Sequence, residues 1–392
     1  MNKYISPFFQ IIGSSLKILP AAVWDELHIF LTSFYKIKWP TNLSLQLLLF
    51  WQIYMILSAI LNGYAESITF FRYGLVFIGL ILLKNYYRSL ISKISKNIII
   101  VIGLSYLGIC IALYLFGISF GLSVAWWQDT LWVGTAYSGF VIFIILSITL
   151  LNSFTQNQRL IFLALGYASG VAMDSRLVFI LITTLLPFAF NGRRKNKKTN
   201  LFNSVKSLIT FIFIIFSLTT LFNLYSQEIT TVFKSAQNTI IELTTESNTT
   251  ERDSDRQANI RAVGSLMNDD PFKFLFGSGL TSHQYELSAY LNKSADDKIR
   301  PSGVPAVVFD GGIIYLIIIF ACGLNSILQF LSYYLNNLIS LRSLFIWIVV
   351  IINSLLVLFI TNTTDLMLWW AVILSGHIFN KKFMIDFKKN RL

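Results

Sequence analysis

Cysteine is almost missing from this chain. Its two copies in 392 residues, Cys110 and Cys322, both lie inside apolar runs, so no disulfide framework or thiolate metal site can be built and both are expected to be packing residues. Charge is scarce as well: 13% of residues are Asp, Glu, Lys or Arg, against 55% hydrophobic residues and 34 Phe. With a mean hydropathy of +0.65, that balance excludes a soluble globular domain. Also absent are a P-loop, G-x-G-x-x-G, C-x-x-C and H-E-x-x-H, and with them internal repeats, heptads and low-complexity blocks. The first 40 residues mix Pro7, Lys17, Pro20, Asp25 and Glu26 with apolar groups. They lack the compact hydrophobic core of a cleavable signal peptide and read as an interfacial amphipathic arm.

Long apolar runs are what the chain has instead. A membrane-spanning helix needs about 20 mainly apolar residues, and such runs lie near 43–62, 67–83, 97–117, 131–151, 159–173, 175–190, 207–225, 311–334, 343–361 and 363–379. The expectation is an all-α polytopic membrane protein of about ten transmembrane helices. It has five parts: an arm at 1–42, seven spans over 43–225, a large external loop at 226–303, three closing spans over 304–380 and a basic tail at 381–392.

The formal charge of +12 does not point to nucleic acid, because the basic residues sit in short segments beside the spans, which is a topology signal. Lys84, Arg88, Lys93 and Lys96 mark one cytoplasmic loop, Arg193 to Lys198 another, and Lys381, Lys382, Lys388, Lys389 and Arg391 the tail. Ten spans with both termini inside satisfy all three. The same count places the 226–303 insert outside, where eleven acidic residues against eight basic give it a net charge of −3.

Few charges interrupt the apolar runs, so those that do mark candidate sites. Arg72 lies in the first two turns of the second span, where an arginine costs a few kcal/mol unless paired or snorkelling. Trp126, Trp127, Gln128 and Asp129 form an aromatic outer loop that suits a headgroup belt first and a sugar-stacking platform second. The apolar stretch from Arg159 to Phe190 is broken by Asp174, Ser175 and Arg176, and a hairpin is required to keep the flanking basic loops on one side. Each arm has about 15 residues, roughly 23 Å of helix against a hydrocarbon core about 30 Å thick. The turn is therefore expected below the outer surface, in a water-filled cavity, where its ionisable groups mark a site unless Asp174 and Arg176 only pair with each other to fix the hairpin.

The insert carries the remaining signal. Arg256, Ile260, Val263, Leu266 and Met267 fall at helical spacing, Asp269, Asp270 and Pro271 stop that helix, and Gly277 and Gly279 allow a tight loop. The ionisable residues mapped to the outer half are Arg72, Asp129, Asp174, Arg176, Arg252, Arg256, Arg261, His283, Arg300, Asp310 and Asp365. The set is rich in arginine and has no metal-ligand cluster. A guanidinium is a planar fork of donors that matches phosphate oxygens two at a time, so an arginine-lined outward cavity suits a lipid diphosphate. An anion pore or carrier would use the same charges, but it gains nothing obvious from a 78-residue outer loop.

Three segments are similar to the O-antigen polymerase and O-antigen ligase family. They are G-V-A-M-D-S-R-L from Gly170 to Leu177, Arg261 followed by D-P-F-K-F-L-F-G-S-G, and V-V-F-D-G-G-I-I-Y-L from Val307 to Leu316. The resemblance implies a polytopic glycosyltransferase of the bacterial inner membrane, working on the outer face with undecaprenyl-diphosphate-linked glycans. It implies membrane lipids, a chain-length regulator and a flippase as partners, and neither metal nor cofactor nor nucleic acid. Ligases of the family carry a histidine shortly before the last of these segments, where this chain has Arg300, Pro301 and Ser302, so the resemblance favours a repeat-unit polymerase, with ligation the alternative. In that reading Arg176, Arg261, Arg300 and Arg72 meet the departing diphosphate. The base is His283, Asp310 or Asp174 in that order, although a lone loop histidine is more often simply solvated. Arg72, Asp174, Arg256, Gly277 and Gly279 are expected at the bound substrate.

Overall fold

The computed structural model describes residues 42–66, 135–151, 154–172, 176–190, 251–290, 303–359 and 367–379, with scattered positions at 70, 76–80, 100–112 and 364. The N-terminal arm, the basic loops, the tail, Cys110, Arg72, Asp129, Asp174, Arg300, Asp365 and the 207–225 run lie outside the described residues, as do the side chains of 176–180 and 251–258. Every element described is helical, with no strand among the described residues, so the architecture is all-α. Two of its helices, Leu43–Leu61 and Gly303–Leu335, are long and apolar enough to cross a membrane. The chain forms two compact units, one from 1–18 with 94–246 and the other from 19–93 with 247–392.

Helix α1 (Leu43–Leu61) starts where the Asn42 side chain accepts the Ser44 N–H at 2.9 Å, an N-cap that satisfies an otherwise orphan donor. Leu45, Leu48, Leu49, Met55 and Ala59 are buried on one side, while Leu43, Leu47, Phe50, Leu57 and Ile60 are exposed on the other. A helix apolar all round has no water-facing side, which fits a hydrocarbon environment. A 3-10 turn over Tyr64–Glu66 follows.

The first unit contains α2 (Thr135–Leu151), α3 (Gln156–Ala172) and α4 (Arg176–Phe190), each packed on the other two. Gly166 allows the closest approach, since a Cβ there would stand 2.7 Å from Leu146 Cδ1 and 3.1 Å from Ile182 Cδ1. The neighbouring Tyr167 and Thr183 hydroxyls meet at 3.2 Å. In one continuous helix residues 16 positions apart would be about 24 Å apart, so the contacts of 166 with 182 and of 167 with 183 require the chain to turn back between α3 and α4.

In the second unit α5 (Glu251–Asp269) ends and α6 (Pro271–Phe276) begins at the Asp-Asp-Pro signal. Asp270 caps the new helix by accepting the Lys273 N–H at 3.0 Å, and Pro271 occupies the first turn, where no donor is needed. The buried stripe of α5 is Asn259, Ala262 and Leu266, with Met267 exposed. Of the residues at helical spacing, Leu266 is in the core and Val263 packs against it, while Met267 is left out because α5 packs on two elements far along the chain. These are α7 (Glu286–Tyr290) and the start of α8 (Gly303–Leu335), and Ala262, Leu266, Leu287, Val308 and Phe309 form the common core. Beyond α8 come α9 (Leu341–Val357), α10 (Met367–Ile373) and α11 (Ser375–Ile378).

Helix α8 is bent at Gly312, whose φ of 74 and ψ of 176 are not helical. The bend is sharp. A straight helix from Val304 to Gly323 would be about 28 Å long, yet Val304 N–H donates to Leu358 O at 2.9 Å, and Leu355, less than a turn earlier in the chain, packs on Gly323. Only a first segment that folds back towards the second satisfies both contacts. The far half of α8 holds α9 to α11: Phe330 stacks on Trp347 at 4.5 Å and Ser326 Oγ donates to Ile373 O at 2.6 Å. It also holds α1, with Asn325 Nδ2 donating to Ser44 Oγ at 2.9 Å.

Gly312 is needed twice over, for its positive φ and because a Cβ would stand 2.1 Å from Leu275 O. Positive φ with extended ψ is a region essentially restricted to glycine and costs an L residue about 1–3 kcal/mol, and the contact is with backbone that cannot swing away. Gly312→Ala is expected to lower the amount of folded protein in membranes, measured by immunoblot and thermal aggregation. Gly264→Ala, at a helical position with open space, should leave it unchanged.

Candidate functional site

The bend at Gly312 opens the end of α8's first segment, and its last carbonyls find donors elsewhere. Phe309 O accepts the Ser278 N–H at 2.9 Å, Asp310 O accepts the Gly279 N–H at 2.9 Å, and Gly311 O accepts the Trp51 Nε1–H at 2.7 Å. The loop after α6 is thereby held against α8, and its other side is fixed to the end of α1. Leu280 N–H donates to Met55 O at 3.0 Å, the Ser58 hydroxyl and the Asn62 amide donate to Ser278 O at 2.9 and 2.7 Å, and the Thr281 hydroxyl donates to Tyr64 O at 3.1 Å. Gly277 and Gly279 have φ of 75 and 112, and a Cβ on either would lie 2.4 Å from backbone, of Asp310 and Ala59 respectively. These two glycines are thus closely packed structural positions, with α1 and α8 occupying the space beside them.

This loop delivers His283 to Asp310. Both residues are buried, and His283 Nδ1 lies 2.9 Å from each carboxylate oxygen. The His283 backbone N–H donates to Oδ1 at 3.0 Å, and the Ser282 hydroxyl, 2.8 Å from Phe309 O, also reaches Oδ1 at 3.2 Å. A carboxylate held by this many donors is fixed in orientation and in turn fixes the ring. The pairing assigns the proton to Nδ1 and leaves Nε2 as a lone-pair nitrogen with no hydrogen bond among the described residues. A carboxylate behind Nδ1 also stabilises the imidazolium that forms when Nε2 takes up a proton. A pair of this geometry can act as a general base towards a group that reaches Nε2.

A second polar group stands beside the first. Glu286 accepts from the Tyr64 hydroxyl at 2.7 Å, the Lys273 ammonium at 3.2 Å and the Ser278 hydroxyl at 3.0 Å. Burial, and then the Glu286 carboxylate as hydrogen-bond acceptor and charge, push the Tyr64 phenol well above its ordinary range, so it remains the donor. Tyr64 also stacks on Tyr285 at 5.1 Å and 18°. Glu286 thus ties α6, the glycine loop, α7 and the turn after α1 together.

Of the residues singled out from sequence, His283, Asp310, Gly277 and Gly279 are brought together, and the histidine is buried and paired rather than solvated. Arg261 is exposed on α5, one residue from the buried Ala262. Arg256 lies on the same helix and Arg176 opens α4; their side chains, with Arg72, Asp174 and Arg300, lie outside the described residues. Sequence reasoning passed over Ser282, Glu286, Lys273 and Tyr64. Ser282 and Glu286 flank His283 within three positions and were open to notice as a polar cluster, whereas Tyr64 is 222 residues from its partner Glu286 and left no local signal. Among the described residues no three His, Cys, Asp or Glu side chains converge on one point. Comparison of the chain with protein-family models, curated proteins and solved structures gave no match.

Proposed function

We propose that this chain is a repeat-unit polymerase of the bacterial inner membrane, with about ten spans, both termini in the cytoplasm and the His283–Asp310 pair towards the outside. It transfers a glycan from undecaprenyl diphosphate to a hydroxyl of the next lipid-linked unit. His283 Nε2 takes the acceptor proton as the hydroxyl oxygen attacks the anomeric carbon. The bond from that carbon to the diphosphate oxygen breaks, and its electron pair leaves with the lipid diphosphate. Asp310 holds the ring and stabilises the imidazolium. Arg176, Arg261, Arg300 and Arg72 are the candidates for meeting the charge that develops on the leaving group, which is where preorganised donors favour the transition state over the ground state.

The observation that carries this reading is a buried histidine–carboxylate pair on an apolar helix long enough to cross a membrane, in a chain whose outer-half candidate residues include six arginines. A strain lacking the protein is expected to make glycans one repeat long, visible on a gel as the loss of the ladder. Restoration of the ladder by the wild-type chain completes the test, and a normal ladder in the deletion strain would remove the polymerase reading.

One observation favours ligation instead. Although His283 precedes Asp310 by 27 residues, in space it reaches the Val307–Leu316 segment, shortly before which ligases of the resembling family carry their histidine. A ligase predicts a different phenotype from the same strain: full-length lipid-linked polymer accumulates and its acceptor stays uncapped.

A further inference from the structure

We infer that residues 271–283 are a re-entrant element that dips into the outer leaflet of the bilayer, with the exposed side of α6 against lipid chains. The inference rests on α1 crossing the membrane, as in the topology above, and not on the glycan chemistry. Depth is the first support. Phe276 stacks on Trp51 at 6.1 Å and 16°, and Leu280 N–H bonds to Met55 O. Trp51 lies about 15 Å along the axis before the end of α1 at Leu61, and the whole helix is about 28 Å long, close to the thickness of a hydrocarbon core. A segment that reaches Trp51 therefore lies well below the outer end of a spanning helix.

The surface of α6 is the second support. Its sequence, P-F-K-F-L-F, buries none of its residues, and Phe272 and Leu275 are 67% and 42% exposed. The ring row is continuous: Phe272 meets Phe276 at 4.8 Å, Phe276 meets Trp51, and Trp51 meets Tyr54 at 5.4 Å. There it joins the side of α1 that exposes Phe50 and Leu57. The apolar surface of α6 thus extends the surface that α1 offers to lipid. The Lys273 side chain is 44% exposed but its ammonium pairs with Glu286 at 3.2 Å, the kind of partner that a cation at membrane depth requires.

The backbone supplies the third support. Gly277 to His283 is an irregular segment and is buried throughout. The amides of Gly277, Ser278, Gly279, Leu280, Ser282 and His283 donate to Lys273 O, Phe309 O, Asp310 O, Met55 O, Gly279 O and Asp310 Oδ1. A surface loop can leave such groups to water. Non-helical backbone at hydrocarbon depth is tolerated only where protein or a water-filled cavity satisfies it. Placed so, His283 and Asp310 would meet a lipid-borne group without that group leaving the membrane.

The test is collision-accessibility electron paramagnetic resonance on the full-length chain in vesicles of phosphatidylethanolamine and phosphatidylglycerol. Nitroxides are attached one at a time at Phe272→Cys and Leu275→Cys, with Cys110 and Cys322 replaced by alanine. Oxygen concentrates in lipid and a nickel chelate in water. The inference expects an oxygen-to-nickel ratio several-fold higher at both positions than at Ser265→Cys, on the exposed side of α5, and similar to that at Leu57→Cys on α1. Nickel access at 272 and 275 with a lipid signal at Leu57 overturns the re-entrant element while leaving the spans standing. Exclusion of both reagents overturns it too, because protein would then cover that face. Nickel access at Leu57 itself overturns the span on which the inference rests.

Discussion

Asp310→Asn is expected to abolish the glycan ladder while the protein remains at near wild-type abundance. The amide keeps the volume of the carboxylate and can still accept from the Ser282 hydroxyl and the His283 N–H, which lie 3.2 and 3.0 Å from Oδ1. It loses the charge that fixes the proton on Nδ1 and stabilises the imidazolium. A positioned general base contributes about 10²–10⁴-fold to rate, so chain extension should drop by that order, as it should for His283→Ala. Asp310→Asn serves as the more informative variant, because His283→Ala also opens a void among packed groups. If Asp310→Asn retains a normal ladder, the pair is structural and the histidine is not the base.

Arg261→Lys is expected to reduce polymer length severely at unchanged abundance. Lysine keeps the charge but loses the planar fork that grips two phosphate oxygens. The loss of one preorganised donor costs about 3 kcal/mol, or roughly a hundredfold in rate. Exposure of Arg261 on α5 makes this a clean substitution, since no packing is disturbed and an exposed charge contributes little to stability. The same change at Arg252, near the start of α5, should be tolerated. Near-normal chains from Arg261→Lys would take Arg261 out of the diphosphate site, and the burden would pass to Arg176, Arg300 and Arg72.

What could be read from the sequence was local. The Asp-Asp-Pro stop before α6, the glycine loop after it and the break between α3 and α4 each depend on a few neighbouring residues, and each is found where expected. The buried face of α5 was legible only in part: Leu266 and Val263 meet the core, but Asn259 and Ala262 are buried and Met267 is exposed because that face is chosen by Leu287, Val308 and Phe309, about 20 to 50 positions further on. Gly311 and Gly312 read as the beginning of a span. They conceal a helix that starts at Gly303 and bends at Gly312, since an apolar run carries no signal for a single positive φ within it. His283 and Asp310 were both candidates, but their contact depends on that bend and on α1 closing over the loop. Pairing at this range is a tertiary fact, which periodicity does not report.

The central claim, that His283 backed by Asp310 takes the acceptor proton in glycan transfer on lipid diphosphate, is tested most directly with purified components. Lipid-linked repeat units extracted from the deletion strain are incorporated into vesicles with the wild-type chain, or with His283→Ala or Asp310→Asn at matched amounts. Glycan length and released undecaprenyl diphosphate are then followed together by mass spectrometry. The wild-type chain should lengthen the glycan and release one lipid diphosphate for each bond formed, and both variants should do neither above about a hundredth of that rate. Lengthening by the variants at the wild-type rate, or none by the wild-type chain with intact substrate, would contradict it.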